Sequence, residues 1–407
     1  MARQARHGNI IAGLDVGTTK ICAVVGEVME GELEIRGVST STSNGLRKGV
    51  VVNIESTVES IKNAVKKAES VTGFEINAMY VGIAGGHIKG FDSYGAVGIR
   101  GKEVAYIDVE RVIDSAKAVH VPLDREVLHV IPTGYILDGL NSIKDPVGMI
   151  GERLEANVYI ITGAVTLVQN LLKCCEKAGI DVIDIVFEPL ASAEAVLTDE
   201  EKELGVAIVD IGGGTTDIIL YKDGWLRHTS VFAIGGNHFT NDLAVGLRVS
   251  ISEAERIKKA FGYVTPSMAN DLEEIEIVQE GQARRIVRRC LTEIIQPRAE
   301  ELLDLIKGEF MSCSGYDIAS TGVVLTGGCS LLQGLDKMAE AVLGLPVRIG
   351  VPKAKRGCRD IINNPIYATG VGLVLHGLED EASRVFYPDA FTAIFGKMKD
   401  WVNGIFR

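Results

Sequence analysis

Apolar runs broken by glycine-rich turns set the rhythm of this chain, and one such phrase occurs twice. Ile11-Ala12-Gly13-Leu14, Asp15 and the turn Val16-Gly17-Thr18-Thr19-Lys20 lead into Ile21-Cys22-Ala23-Val24-Val25. Val206-Ala207-Ile208-Val209, Asp210 and the turn Ile211-Gly212-Gly213-Gly214-Thr215-Thr216-Asp217 lead into Ile218-Ile219-Leu220. Each copy reads as a buried strand, an Asp, a tight turn and a second buried strand, which is a β-hairpin. Between the copies the apolar period lengthens to that of a helix. Val58, Ile61, Val65, Ala68 and Val71 form one stripe, and further helices are predicted over Asp108 to Val119, about 165–177, and from Pro189. Val127 to Ile131 and Val182 to Phe187 read as strands. After the second phrase comes a helix-rich stretch with an acidic run, Asp271 to Glu280, beside a basic cluster. Val323-Val324-Leu325 then enters a third glycine turn, Thr326-Gly327-Gly328-Cys329-Ser330.

At 407 residues the chain is long enough for two or more lobes with cores of their own. The 46 glycines exceed the usual share of about 7%, and they concentrate in Gly85-Gly86, Gly212 to Gly214, Gly235-Gly236 and Gly327-Gly328. A net charge of −12 argues against nucleic acid as a partner, which needs a basic face. The seven cysteines lack metal-ligand spacing and read as small buried residues of a reducing cytosol. The basic start (Arg3, Arg6) runs into apolar residues interrupted by Asp15, so it is not a secretory signal. No apolar run is long enough to span a bilayer.

Glycine turns let backbone amides crowd onto an anion, and threonine hydroxyls add donors. An Asp at a strand end can hold hydrated Mg²⁺, which binds through one or two carboxylates plus phosphate. Two such hairpins imply two related halves closing on one nucleotide. Pro189 suits the first position of a helix and makes Glu188 its N-cap, an unfavoured cap type; Glu188 is then either an exposed loop carboxylate or a working one. Ser252-Glu253-Ala254-Glu255 fits a capping box, which leaves Glu255 either a capping residue or a ligand contact.

The ordered set of three turns resembles the actin, sugar-kinase and DnaK-type ATPase superfamily, an α/β, ribonuclease H-like fold of two lobes. The resemblance implies ATP and Mg²⁺ as cofactors. Asp15 and Asp210 would organise the metal through water, and Gly17, Thr18, Thr19, Lys20, Gly212, Gly213, Gly214, Thr215 and Thr216 would meet the phosphates. Glu255 and Lys258 would approach the nucleoside, with Gly327, Gly328, Cys329 and Ser330 behind the adenosine, and Gly235 and Gly236 would also bind the cofactor. Glu188 would orient the attacking water, with Asp210 as the second catalytic carboxylate.

Longer strings narrow the resemblance. Ser43-Asn44-Gly45-Leu46-Arg47-Lys48-Gly49-Val50-Val51-Val52-Asn53-Ile54, Val81-Gly82-Ile83-Ala84-Gly85-Gly86-His87-Ile88, Ile131-Pro132, Asp145 to Leu154 and Glu188 to Ala195 resemble the FtsA family of bacterial cell division. This implies an actin-like fold that lacks actin's second subdomain and carries a relocated one. On that basis residues 1–80, 158–192 and 356–378 form the first lobe's base, 81–157 the relocated subdomain, 193–226 with 304–355 the second lobe's base, and 227–303 its helix-rich insert. It further implies a scaffold, at most a slow ATPase, that forms filaments on the cytoplasmic face of the inner membrane at the septum. There it would attach the FtsZ polymer and meet other divisome proteins. The FtsZ tail peptide would dock beside Arg284, Arg285, Arg288 and Arg298.

Residues 379–390 read as a polar linker. Beyond it Phe391, Ile394, Phe395, Met398, Trp401, Val402, Ile405 and Phe406 recur at helical spacing, while Lys397, Lys399, Asp400, Asn403 and Arg407 fill the other face. A helix of roughly 25 Å with mid-length charges should lie in the interface of an anionic inner-membrane leaflet rather than span it. Full burial is worth about 1.5–3 kcal/mol per large apolar side chain. Docking on the protein's own core is the competing reading. A sugar or acetate kinase would need a general base between the lobes that the sequence does not supply, and a PilM-like pilus-assembly protein would lack the tail.

Overall fold

The computed structural model describes residues 10–29, 31–101, 103–265, 273–279, 281–353, 356–358 and 362–386. The two copies of the repeated phrase nucleate two sheets of the same local design. Ile10–Val16 pairs antiparallel with Lys20–Met29 and parallel with Ala78–Ile83. Val206–Ile211 pairs antiparallel with Thr216–Lys222 and parallel with Val323–Thr326. The first sheet has six strands, with Asp181–Phe187 at one edge and Glu32–Thr42 and Arg356–Gly357 at the other; the second has five, ending in Trp225–Phe232 and Val347–Ile349. The central strands are buried on both faces, as continuous apolar runs require. Asp15 and Asp210 each stand next to last on the leading strand of their hairpin.

Each sheet has its own core, and a third core lies in the relocated subdomain. That subdomain is a four-stranded sheet in the order Lys89–Gly98, Arg153–Ala164, Arg125–Leu137, Leu140–Ile143, covered by the helix Tyr106–Lys117. Between the strand Glu32–Thr42 and the helix Ile54–Thr72 there is room only for a two-stranded turn, Leu46–Arg47 with Val50–Val51. Actin's second subdomain has no place there.

Several local expectations need correction. The helix expected from Pro189 runs Glu188–Val196 with Phe187 as its N-cap, so Glu188 is the first helical residue. The helix Ile251–Phe261 is capped by Ser250, which accepts from the Glu253 amide; Glu255 is therefore not a capping carboxylate. Val71 is 64% exposed in the last turn of its helix. The acidic run and the basic cluster are partly the two strands of one hairpin, Glu274–Gln279 and Gln282–Val287, with Asp271 and Glu280 outside the described residues. The helix Ala368–Phe386 continues through the start of the segment read as a linker. It packs closely on the first lobe: a Cβ at Gly372 would lie 1.8 Å from Ala191 O. Tyr80 donates to Asp380 Oδ2 at 2.7 Å, which extends the attachment past residue 379. The predicted amphipathic segment from Phe391 onward lies outside the described residues. Among the described residues no helix is long and apolar enough to cross a membrane.

Candidate functional site

The two hairpin turns face each other across the lobes. A Cβ at Gly213 would come within 2.4 Å of Thr19 Cγ2, and one at Gly214 within 2.5 Å of Thr18 Oγ1. Only glycine permits this approach. Between the lobes lies a cleft of about 530 Å³, lined at this end by Asp15, Gly17, Thr18, Thr19, Lys20, Glu188, Asp210, Gly212, Gly213, Gly214, Thr215 and Asp217. That volume suits a ligand of nucleotide size.

Charge is concentrated here. Asp15, Asp210 and Asp217 are nearly buried, and Glu188 is half-buried with its open side in the cleft. Lys20 Nζ donates to Asp15 Oδ2 at 2.6 Å. Burial works against the Lys20 ammonium, but Asp15 and its neighbours hold its pKa above the ordinary lysine value. Ser192 Oγ donates to Asp210 Oδ2 at 2.6 Å. Burial pushes Asp210 up to about 6, with Asp15 adding and the Ser192 bond subtracting. Burial, then Asp15, Asp217 and Asp210, push Glu188 well above its ordinary value. Asp217 is likewise raised by burial and Asp210. Thr215 Oγ1 donates to Asp217 Oδ2 at 3.0 Å, whereas Asp217 Oδ1 is buried with no partner.

An orphaned buried carboxylate oxygen among like charges fits a cation held nearby. Among the described residues no three metal-ligating side chains converge closely enough to cage an ion directly. The donor set therefore fits Mg²⁺ that keeps most of its waters, with Asp15 and Asp210 as outer ligands.

The other end of the cleft is less polar. Gly236, Lys258 and Cys329 adjoin one another, and Gly262, Leu331, Leu332, Gln333 and Ile366 complete the walls. Lys258 is already committed: its ammonium donates to Gly236 O at 2.9 Å and Thr240 Oγ1 at 2.8 Å and pairs with Glu255 at 2.7 Å. Burial pushes Glu255 up, but Lys258 and its hydrogen bonds outweigh this and hold it below the usual carboxylate range. Burial pushes the Cys329 thiol up to about 11.

Some sequence-predicted residues brace the site rather than line it. Thr216 Oγ1 donates to Ile234 O at 2.8 Å, and Ser330 Oγ folds back onto Gly327 O at 2.7 Å; neither lines the cleft. The amides of Gly236 and Asn237 donate to Gly212 O and Gly213 O at 2.9 and 2.8 Å. Gly235 leaves room for these carbonyls, since its Cβ would meet Gly212 O at 2.7 Å. Gly327 backs the cleft, and a Cβ there would lie 2.2 Å from Asp210 Oδ1. Sequence reasoning missed Asp217, although it ends the repeated phrase, and it missed Gly49, Gln333, Ile366 and Thr369, which only the fold brings in.

The basic residues of the second lobe divide. Arg298 pairs with Asp242 at 2.7 Å and with Glu301. Arg288 donates to Phe261 O, Glu273 and Gln333 and lies 4.5 Å over the Tyr263 ring. Arg284 donates to Gln279 Oε1 at 2.9 Å, and Arg285 is a loose 3.9 Å from Glu274.

Comparison with known proteins agrees with this architecture. The family model described as "Cell division protein FtsA" matches residues 207–372, and that of the "SHS2 domain inserted in FTSA" matches 85–162, the relocated subdomain. The chain is 43% identical over 413 aligned residues to the cell division protein FtsA of Pseudomonas aeruginosa, covering 98% of this chain and 99% of that one. It is 38% identical to the Escherichia coli K12 protein, covering 92% of each. Among solved structures, the PilM–PilN type IV pilus biogenesis complex superposes with a TM-score of 0.67 at 16% identity, covering 90% of this chain and 98% of that one. MreB5 of Spiroplasma citri bound to AMPPNP superposes at 0.55 with 15% identity, covering 93% and 98%. The structural likenesses establish an actin-like fold, and the long sequence identities place this chain in the FtsA family of cell-division proteins.

Proposed function

We propose that the cleft binds Mg-ATP and that the chain works as a nucleotide-dependent scaffold rather than a metabolic enzyme. The observation that carries this is the apposition of two Asp-bearing glycine hairpins on either side of one crevice. The turns would cradle the phosphates, and the Cys329–Ile366 end would receive the nucleoside. Bound Mg²⁺ would offset phosphate charge beside Asp15 and Asp210. Glu188 faces the same crevice and would orient water toward the terminal phosphate, which gives at most slow hydrolysis. Titration of Mg-ATP against Asp210→Ala tests the site; affinity equal to the parent's would remove it.

Membership of a cell-division family supports the larger role. In this reading the protein assembles into filaments on the cytoplasmic face of the inner membrane at the septum. The Phe391–Phe406 segment inserts into anionic lipid, and many tails on one filament bind far more firmly than one. The second lobe's insert receives the tail peptide of FtsZ. Electron microscopy on an anionic lipid monolayer with Mg-ATP should show membrane-bound filaments, and a kinase of the same fold would give none.

A further inference from the structure

The turn between Leu46–Arg47 and Val50–Val51 belongs to neither hairpin, yet it touches both. Gly49 N donates to Thr18 Oγ1 at 2.9 Å, on the first lobe's turn. A Cβ at Gly214, on the second lobe's turn, would lie 3.0 Å from Lys48 Cα. Gly49 itself lines the cleft. The turn therefore sits over the seam where the two phosphate-type loops meet, and it can keep both contacts only while the lobes are closed.

Lys48 has a φ of 52°, a left-handed conformation that glycine adopts freely and lysine rarely does. A strained residue held at such a seam points to use of its side chain. The charges around it indicate what use. Among the described residues, the lysines that line the cleft are engaged: Lys20 with Asp15, and Lys258 and Lys259 with Glu255. Five carboxylates line the same space: Asp15, Glu188, Asp210, Asp217 and Glu255. Lys48 is exposed, and its ammonium makes no ion pair or hydrogen bond with a described residue. A polyphosphate entering this cleft would meet an excess of negative charge, and the turn beside it carries the uncommitted Lys48 ammonium on a flexible four-carbon stem.

We propose that the Arg47–Val50 turn is a third phosphate-binding element, in which Lys48 Nζ grips the terminal phosphate of a nucleoside triphosphate and favours the closed lobes. This rests on the nucleotide reading of the cleft. The test is titration of parent, Lys48→Gly and Lys48→Arg with Mg-ATP and Mg-ADP, alongside thermal melting. Lys48→Gly removes the charge without backbone strain, so it should melt near the parent. It should weaken Mg-ATP about tenfold or more while changing Mg-ADP far less, as expected for loss of one charge-assisted bond. Lys48→Arg should keep most of the preference for the triphosphate. A parent that binds neither nucleotide overturns the cleft reading and this one with it. A parent that binds both, with an unchanged ATP-to-ADP ratio in Lys48→Gly, overturns the role of Lys48 alone.

Discussion

Ser192 and Asp210 are joined by a 2.6 Å hydrogen bond that crosses from the helix carrying Glu188 to the leading strand of the second hairpin. The same hydroxyl lies 3.0 Å from Thr369 Oγ1 on the helix Ala368–Phe386. One serine therefore fixes the Asp210 carboxylate relative to both supporting helices. Ser192→Ala should leave Asp210 Oδ2 buried without its donor, at a cost of about 1–3 kcal/mol in stability. It should also raise the Asp210 pKa above its present value of about 6. Mg-ATP affinity measured near neutral pH should fall and should recover toward alkaline pH; a parent-like pH profile would mean that the bond does not tune the site.

Asp217 makes the opposite trade. Its Oδ1 is orphaned and its pKa is raised by burial and by Asp210, so the ionised side chain burdens the ligand-free fold. Asp217→Asn should raise the melting temperature of the free protein while weakening Mg-nucleotide binding or turnover, as strained functional groups do. If the variant melts lower and binds nucleotide normally, Asp217 is a structural residue.

These two carboxylates show what could be read without coordinates. The repeated apolar–Asp–glycine phrase revealed both hairpins, because strand burial and glycine turns are local properties. The same phrase contained Asp217, but its orphaned oxygen depends on which atoms fold around it. Ser192, Thr369 and Gly49 carry no local signal, since tertiary packing alone brings them to the cleft. Helix ends misled for a similar reason. Ser250 rather than Ser252 caps its helix, and the polar stretch after Leu378 stays helical where Asp380 meets Tyr80, a partner remote in sequence.

The acidic cluster also sets a pH dependence. A carboxyl with a raised pKa holds its proton more tightly folded than unfolded, so its contribution to stability falls as pH rises from the unfolded value through the folded one. For Asp210 that window runs from 3.8 to about 6 and for Glu126, raised by burial, from 4.5 to about 7; Glu188 and Asp217 are shifted in the same direction. His87 and His129, lowered to about 4 mainly by burial, act in the opposite sense, but only up to their ordinary value of 6.5. From pH 6.5 upward, therefore, the melting temperature of the free protein should fall. The slope is at most about 1.4 kcal/mol per pH unit for each titrating group, and less for Glu188, whose open side meets solvent. Glu188→Gln should flatten the decline, and so should saturating Mg-ATP; an unchanged slope in both would exclude the cluster as its source.

Arg288 and Arg298 should not behave as docking cations. Arg298 is bound to Asp242 and Glu301, and Arg288 to Glu273, Phe261 O and Gln333. Reversing either charge should lower stability by about 1 kcal/mol or more, because Asp242 and Glu301 would face a like charge at position 298, and Glu273 would at position 288. Loss of peptide binding in such variants would therefore be ambiguous. Arg284→Glu with Arg285→Glu is the informative pair, because both side chains are exposed on the hairpin. The expected result is an unchanged melt and weakened binding of the FtsZ tail peptide, read by fluorescence anisotropy. Undiminished binding would move the docking surface elsewhere.

The terminal segment can be separated from the rest by truncation after Asp389. The helix Ala368–Phe386 is anchored to the first lobe through Gly372 and the Tyr80–Asp380 bond, so the cut falls beyond the packing that the cleft needs. Folding and Mg-ATP affinity should survive unchanged. Co-sedimentation with anionic vesicles should be lost, because the eight apolar side chains from Phe391 to Phe406 leave with the segment. Trp401→Glu in the full chain should give an intermediate loss, since a charge placed mid-face opposes insertion without removing the helix. If the truncated protein still sediments with vesicles, lipid binding belongs to another surface. If truncation lowers the melting temperature instead, the segment packs on the protein's own core.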